Sequence, residues 1–223
     1  MENVKVLYED NHLIAVVKPA GVLSQGDKTG DSSILDEVRK YIKDKYEKPG
    51  NVFLGLLHRL DRPVSGIMLF AKTSKGAARL SEQFRNHAVE KTYHALVLGK
   101  PEKAKGVLVN FLIKDEKLKK AREKAGGEQA RLHYEVIQFN GKCSLLKIKI
   151  EGGKFHQIRS QLSLAGFPIL GDVKYGAGQP FPDESILLCA TGLSFKAATT
   201  DEMVNLMIVV PKEWSQYLST DRS

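Results

Sequence analysis

A short charged insert between two apolar runs constrains this chain more than any other stretch of its sequence. The runs span residues 52–57 and 67–71, and the insert HRLDR occupies residues 58–62. Apolar runs of this length that are bounded by Pro and Gly are typical of buried strands. We therefore expect the insert to connect two strands at the rim of a sheet.

Asp61 is the residue of chemical interest in this insert. It lies between Arg59 and Arg62, and opposite charges within a few ångströms favour the ionised form of a carboxylate. In extended backbone alternate side chains share a face, so Arg59 and Asp61 should point together. An ionised, positioned carboxylate is a candidate nucleophile. The competing interpretation is a polar turn, since most exposed ion pairs contribute little.

Size and charge favour one globular domain with an anionic partner. The 223 residues are 42% hydrophobic, which is enough for a sizeable core, and we predict a single catalytic domain over residues 1–223. The formal net charge is +8, which favours nucleic acid as the partner. A mildly basic protein without a polyanionic ligand is the alternative that charge alone leaves open.

Cysteine spacing and the N-terminal sequence predict a cytoplasmic protein. Cys143 and Cys189 are far apart and form no CxxC pair, so neither a metal site nor a disulfide framework is indicated. The polar N-terminus is not typical of a secretory signal, and no apolar run approaches the roughly 20 residues that a membrane span requires.

The periodicity of the remaining sequence predicts an α+β fold with a mainly antiparallel, mixed sheet and flanking helices. Asn140–Gly141 is a strong hairpin signal. Residues 100–129 are rich in charge and are expected to form a mobile excursion. The helices are predicted at residues 33–46, 73–88 and 155–165, with a short one after Pro211.

Two basic surfaces have two interpretations each. Arg39, Lys40, Lys43 and Lys45 lie on the polar face of the first helix, where a solvated flank is favoured over an RNA contact. The cluster at residues 117–124 is also typical of a solvated flank, although it is a reasonable place to meet phosphates.

Four segments together resemble a known enzyme family. They are YEDNHLIAVVKPAG at residues 8–21, HRLDRPVSG at 58–66, KTYHALVLG at 91–99 and GGKFHQIRSQLSLAGFPILGDVKYG at 152–176. Their content and order resemble those of the RluA-type pseudouridine synthases. The resemblance covers most of the chain and implies the pseudouridine synthase catalytic fold, as a stand-alone catalytic domain without an S4-like domain.

The resemblance also assigns roles to four residues. It implies that Asp61 is the nucleophile, that Arg159 pairs with it, that Tyr93 stacks on the target uracil and that Arg59 enters the base stack where the uridine leaves. From the residues alone, a strand tyrosine such as Tyr93 is usually a packing residue. An arginine in the first turns of a helix, where the dipole disfavours a cation, points to a specific anionic partner for Arg159. Structural roles are at least as well supported for His58, Arg62 and His156.

The implied activity is isomerisation of specific uridines in structured RNA, either rRNA or tRNA. The reaction needs no cofactor and no metal, and the expected protein is a monomer without an obligate protein partner. Attack at C6 of uracil, attack at C1′ of ribose and a glycal route all stay open. Gln161, Cys189 and Lys196–Ala197 depart from the common family pattern, and these departures bear on substrate choice more than on catalysis.

Two rival functions are compatible with parts of the sequence. A catalytically inactive RNA-binding relative should have lost Asp61 or Tyr93, and both are present. A phosphate hydrolase with an aspartyl nucleophile should carry a metal-binding carboxylate cluster or a glycine-rich phosphate loop, and the sequence has neither.

Overall fold

The computed structural model describes residues 4–200 and 202–219. It contains eleven strands and three α-helices within those residues. In chain order they are β1 (Val6–Glu9), β2 (Leu13–Lys18), α1 (Ile34–Lys45), β3 (Gly55–Leu56), β4 (Ser65–Ala71), α2 (Ser74–Arg85), β5 (Glu90–Leu98), β6 (Lys105–Asp115), β7 (Lys120–Glu123), β8 (Glu128–Phe139), β9 (Cys143–Glu151), α3 (Gln157–Leu164), β10 (Leu188–Lys196) and β11 (Met203–Met207). Short 3₁₀ turns occupy Val173–Tyr175 and Lys212–Tyr217.

The chain folds into two compact units that are discontinuous in sequence. The first comprises residues 1–90 and 192–208, and the second comprises residues 91–191 and 209–223. The strand pairs in each unit are antiparallel. The predicted α+β class with mainly antiparallel strands is therefore confirmed, whereas the organisation of residues 1–223 as one catalytic domain stays a prediction.

The first unit contains β1, β2 and β4 in that spatial order, with β3 also paired to β4. Its core combines β2, β4 and α2 with the second half of β10, through Leu13, Leu69, Leu80 and Phe195 among others. The two strands predicted around the charged insert are confirmed as paired neighbours, although the first is short, since only Gly55 and Leu56 are in strand geometry.

Helix α1 begins where its sequence predicts. Ser33 is the N-cap, its Oγ accepting from the Asp36 N–H at 3.3 Å and donating to Asp36 Oδ2 at 2.6 Å. Such reciprocal capping satisfies groups that a helix start would leave unpaired. The buried stripe includes Ile34, Val38 and Ile42, which leaves the basic face of α1 toward solvent.

A nearly buried carboxylate fixes α1 to the strands of the first unit. Glu9 accepts hydrogen bonds from Lys72 Nζ at 2.7 Å, Lys45 Nζ at 2.7 Å and the Tyr46 hydroxyl at 2.8 Å. Burial by itself would raise the pKa of Glu9, but the hydrogen bonds from Lys45, Lys72 and Tyr46 outweigh it and lower the pKa to about 2.

We expect Glu9 to make this protein acid-sensitive between pH 4.5 and 2. Because the folded pKa lies below the ordinary value of 4.5, the stabilisation is present above pH 4.5 and is lost as the pH falls toward 2. Urea unfolding at pH 6 and pH 3 should show wild type losing about 2 kcal/mol more than Glu9→Gln. Glu82→Gln, on the exposed face of α2, should follow wild type. Equal losses in Glu9→Gln and wild type would contradict this assignment.

The second unit is an antiparallel sheet in the order β5, β9, β8, β6, β7. The predicted hairpin around Asn140–Gly141 is confirmed. Asn140 Oδ1 accepts from the N–H groups of Lys142 and Cys143, and Gly141 has a φ of +96° that favours glycine.

The mobile excursion expected at residues 100–129 is wrong. These residues form β6, β7 and the start of β8, and eight residues of β6 are in register with β8. Strand β6 alternates exposed Val107, Val109 and Phe111 with Leu108, Asn110 and Leu112, which face α3 or are more buried. This period of two is a strand pattern, which the surrounding charges concealed.

Helix α3 packs on β6, β7 and β8. Gln161, which has no solvent exposure, donates from Nε2 to the carbonyl oxygens of Leu108 and Ala130 and to Asn110 Oδ1. The side chain of Gln161 thereby ties the helix to two strands of the sheet. No helix among the described residues is long and apolar enough to cross a membrane.

Candidate active site

The predicted site residues are divided between the two units. Arg59 and Asp61 belong to the first unit, and Tyr93 and Arg159 belong to the second. Each unit thus contributes two of the four predicted site residues. The pairing of Asp61 with Arg159 stays a prediction.

Asp61 lies in the turn that connects β3 to β4. The turn is closed by a hydrogen bond from the Val64 N–H to the Asp61 carbonyl at 3.0 Å. Leu60 and Val64 are buried, Asp61 is partly buried, and Arg59 and Arg62 are exposed. These apolar anchors on both sides hold the turn against the core.

Lys18 is a functional candidate that the sequence interpretation missed. Its side chain has no solvent exposure, and Nζ donates to the carbonyl oxygens of Pro19 at 2.8 Å, Val22 at 2.7 Å and Arg62 at 3.2 Å. The amine therefore joins the KPAG turn to the residue after Asp61. The signal for Lys18 in the sequence is a lysine at the end of an apolar strand, within the KPAG run.

The ionisation of Lys18 is coupled to Asp61. Burial lowers the pKa of Lys18 to about 7, while the negative charge of Asp61 acts to raise it and the positive charge of Arg62 acts to lower it. The Asp61 carboxylate therefore acts in favour of the protonated form of Lys18, and that form places a positive charge in the electrostatic environment of Asp61.

Arg62 also braces this turn. Its Nε donates to the Gly21 carbonyl at 2.9 Å, and the Gly21 N–H donates to the Arg62 carbonyl at 2.8 Å. Its guanidinium also pairs with Asp31 at 2.8 Å. These contacts give Arg62 a structural role, as the sequence allowed.

His58 has a structural role as well. Its Nε2 accepts from the Leu69 N–H at 3.0 Å, and its ring stacks on Phe84 with centroids 5.1 Å apart. The histidine is thus held between β4 and α2, next to the turn that carries Asp61.

Tyr93 lies on β5 with its side chain on the inner face of the second unit. It is 8% exposed and is in register with Ile148 of β9. Ala95 and Val97 share its face and are buried. His94, on the other face, contacts the hydroxyl of Thr191 through Nδ1 at 2.7 Å.

Arg159 lies on α3 and is buried. Its Nε and one terminal amine donate to the two carboxylate oxygens of Asp172 at 2.7 and 2.8 Å. The side chains of Arg159 and Asp172 are 7% and 1% exposed. Asp172 is thus a specific anionic partner of the kind that the helix position of Arg159 predicted. The bidentate contact fixes the plane of the guanidinium.

Two more side chains complete the surroundings of Arg159. The other terminal amine of Arg159 lies 3.3 Å from His156 Nε2, and the guanidinium carbon lies 5.1 Å from the centre of the Tyr175 ring. His156 Nδ1 in turn contacts the Tyr175 hydroxyl at 2.9 Å. The sequence interpretation missed Asp172 and Tyr175, although both lie in the LGDVKYG run that it compared with the family.

Among the described residues, no group of three or more His, Cys, Asp or Glu side chains is arranged to hold a metal ion. The chemistry that these two sets of residues can offer is nucleophilic and electrostatic: a carboxylate beside a buried amine in one unit, and a clamped guanidinium with a strand tyrosine in the other.

Comparison with known proteins identifies the family. The model of the RNA pseudouridylate synthase family matches residues 12–164. A tRNA pseudouridine synthase C of Vibrio parahaemolyticus is 31% identical over 237 residues, which cover 95% of this chain and 92% of the relative. The chain therefore belongs to the RNA pseudouridylate synthase family, and its relatives place it with the RluA-type members.

Other relatives are longer than the matched region. An RNA pseudouridine synthase of Bacillus subtilis, described as uncharacterized, is 31% identical, and the match covers 89% of this chain and 66% of the relative. A ribosomal large subunit pseudouridine synthase D of Nitrosomonas europaea is 35% identical, with 80% of this chain and 51% of the relative covered. The matches thus span from half to two thirds of these two proteins.

Solved structures confirm the fold. The structure of the human protein called RNA pseudouridylate synthase domain-containing 4 superposes with a TM-score of 0.80 at 24% identity. The match covers 96% of this chain and 91% of the human one. The human protein called RNA pseudouridylate synthase domain-containing 1 gives a TM-score of 0.76 at 22% identity. That match covers 98% of this chain and 87% of the human one. The predicted pseudouridine synthase catalytic fold is therefore correct.

Proposed function

We propose that this protein is an RNA pseudouridine synthase, an isomerase that converts specific uridines of structured rRNA or tRNA to pseudouridine. Family membership supports the reaction, and relatives named for the ribosomal large subunit and for tRNA support an RNA substrate of either kind. The observation that carries the proposal is the HRLDR turn, in which Asp61 stands next to the carbonyl that buried Lys18 holds.

The reaction exchanges one bond for another within the nucleotide. The bond from N1 of uracil to C1′ of ribose breaks, the base turns, a bond from C5 to C1′ forms, and the hydrogen on C5 is lost as a proton while N1 gains one. No electrons leave or enter. We propose Asp61 as the nucleophile, acting at C6 or C1′, or alternatively in a glycal route without covalent attachment to the enzyme.

Three other residues have supporting roles in this proposal. Arg159 is the cationic partner of the nucleophile, and Asp172 and Tyr175 hold its guanidinium in a fixed plane. Tyr93 stacks on the target uracil, because a flat side chain accepts a flipped base. Arg59, which is exposed beside the nucleophile turn, fills the gap that the flipped uridine leaves in the RNA stack.

The cytoplasmic location, the monomeric state, the independence from cofactors and the lack of an obligate protein partner stay predictions. Isomerisation within one nucleotide requires only the RNA and the residues named above, and the proposed enzyme is therefore expected to need neither a cofactor nor a protein partner.

We expect the purified protein to release tritium from RNA made with uridine labelled at C5. Unmodified transcripts of tRNAs and of large-subunit rRNA serve as substrates, and released tritium is counted after the RNA is adsorbed on charcoal. Release from one class of transcript would identify the substrate class.

The same assay separates the proposed enzyme from a catalytically inactive RNA-binding relative. That relative would bind the transcripts and release no tritium from any of them. Such a result, obtained with full-length rRNA and with a complete set of tRNA transcripts, would overturn the proposed activity.

A further inference from the structure

A basic cleft lies beside α1 in the first unit, and none of the four residues assigned to the reaction lines it. It encloses about 490 Å³ and is lined by Arg39, Lys40 and Lys43 from the helix and by Gly50, Asn51 and Val52 from the loop that follows it. We call it the α1 cleft. The three cations lie within about 6 Å along the helix axis, since four residues rise by that distance.

The cations of the α1 cleft are available to an external anion. Arg39 pairs with Asp36 and Lys40 pairs with Asp44, but all four side chains are between 44% and 61% exposed. Exposed pairs within one helix contribute little to stability, so a ligand can exchange for them at small cost. Within residues 4–200 and 202–219, the Lys43 side chain has no ion-pair partner.

The lining of the α1 cleft also indicates what kind of anion it suits. No acidic side chain lines it, and no aromatic side chain is present on which a base could stack. Guanidinium and ammonium groups bind phosphate oxygens, and the Asn51 side chain adds amide N–H donors. A phosphate group fits this set of donors better than a nucleobase does.

We propose that the α1 cleft binds the phosphate backbone of the substrate RNA, outside the nucleotide that reacts. This inference rests on the proposed function, which makes RNA the natural polyanion for a chain with a net charge of +8. The amino-acid sequence alone favours a solvated flank for this face of α1. In this proposal the face instead contacts phosphate groups regardless of the RNA sequence, which adds affinity and orients the substrate.

The test compares two double variants in RNA binding. Lys40→Gln/Lys43→Gln removes two cations of the α1 cleft, and Lys75→Gln/Arg79→Gln removes two exposed cations from α2 of the same unit. Filter binding of an unmodified tRNA transcript and of a large-subunit rRNA fragment is measured from 50 to 300 mM salt. We expect the first variant to bind about 5- to 20-fold more weakly at low salt, with its slope of log affinity against log salt reduced by about 1 to 2. The control variant should keep the wild-type slope.

A variant of opposite sign sharpens the comparison. Asp44→Asn removes the partner of Lys40 and should tighten binding about two- to three-fold, because Lys40 is then free for phosphate. Glu82→Gln, which removes an exposed acid from α2, serves as its control and should change affinity less.

The outcomes separate this inference from the proposed function. Equal affinities and slopes for the two double variants would overturn the α1 cleft as an RNA contact, even if wild type releases tritium normally. If the cleft variant binds more weakly while no protein releases tritium, the RNA contact stands and the proposed activity falls.

Discussion

Asp61→Asn should abolish tritium release from C5-labelled RNA, by a factor of at least about 10³ in turnover. The amide has the shape of the carboxylate but is neutral and a poor nucleophile. The hydrogen bond that closes the turn uses the backbone carbonyl of Asp61, and the variant keeps it. RNA binding and the unfolding midpoint should therefore change little while catalysis is lost.

Asp31→Asn is the matched control for this prediction. It removes a carboxylate that pairs at 2.8 Å with Arg62, the residue that follows the nucleophile. The side chains of Asp31 and Arg62 are both 49% exposed. Release by this variant should stay within about three-fold of wild type, because an exposed pair contributes little. Asp61→Glu tests position separately, since it keeps the charge and should still lose most activity. Wild-type release by Asp61→Asn would remove the nucleophile assignment.

Replacing Asp172 should damage both the fold and the reaction. Asp172→Ala leaves the buried Arg159 guanidinium without its two-pronged partner, and breaking a buried pair in this way costs about 3–5 kcal/mol of unfolding free energy. Asp172→Asn keeps the volume but sets an amide donor against guanidinium donors. Its turnover should fall by about 10² or more, with a smaller change in KM, because Arg159 is then held in a different plane.

Urea unfolding and tritium release, measured on the same preparations, check this prediction. Glu135→Gln is the control, since it breaks the exposed pair with Lys105 in the same unit and should leave both measurements close to wild type. A stable Asp172→Asn protein with wild-type turnover would show that the guanidinium plane does not matter to the reaction.

Local sequence patterns predicted much of the fold. The helix over residues 33–46 and the Asn140–Gly141 hairpin depend on neighbours within a few residues, and the structure confirms both. The strand content of residues 105–123 was missed because charged residues throughout this segment hid the period-two pattern of Val107, Val109 and Phe111. A strand that carries its apolar residues on an exposed face gives a weak signal.

The contacts that position the candidate site were out of reach of pattern reasoning. Burial of Lys18 depends on the approach of the carbonyl of Arg62, which is 44 residues away. The position of Arg159 near the start of a helix points to an anionic partner, but it does not identify Asp172, which lies 13 residues later and forms the buried ion pair. Only tertiary structure decides which cations are solvated and which are buried with hydrogen-bond or ion-pair partners. The motifs nonetheless contained all of these residues.

The discontinuity of the first unit has a consequence for synthesis of the chain. Leu193 and Phe195 belong to the same core as Leu13, Leu69 and Leu80, so the first 90 residues emerge from the ribosome without the strand that completes their packing. At elongation rates of about 5–20 residues per second, that strand follows on the order of ten seconds later. During this interval the nascent segment exposes an apolar surface. Because chaperones bind such surfaces, we expect ribosome-associated chaperones to bind this segment.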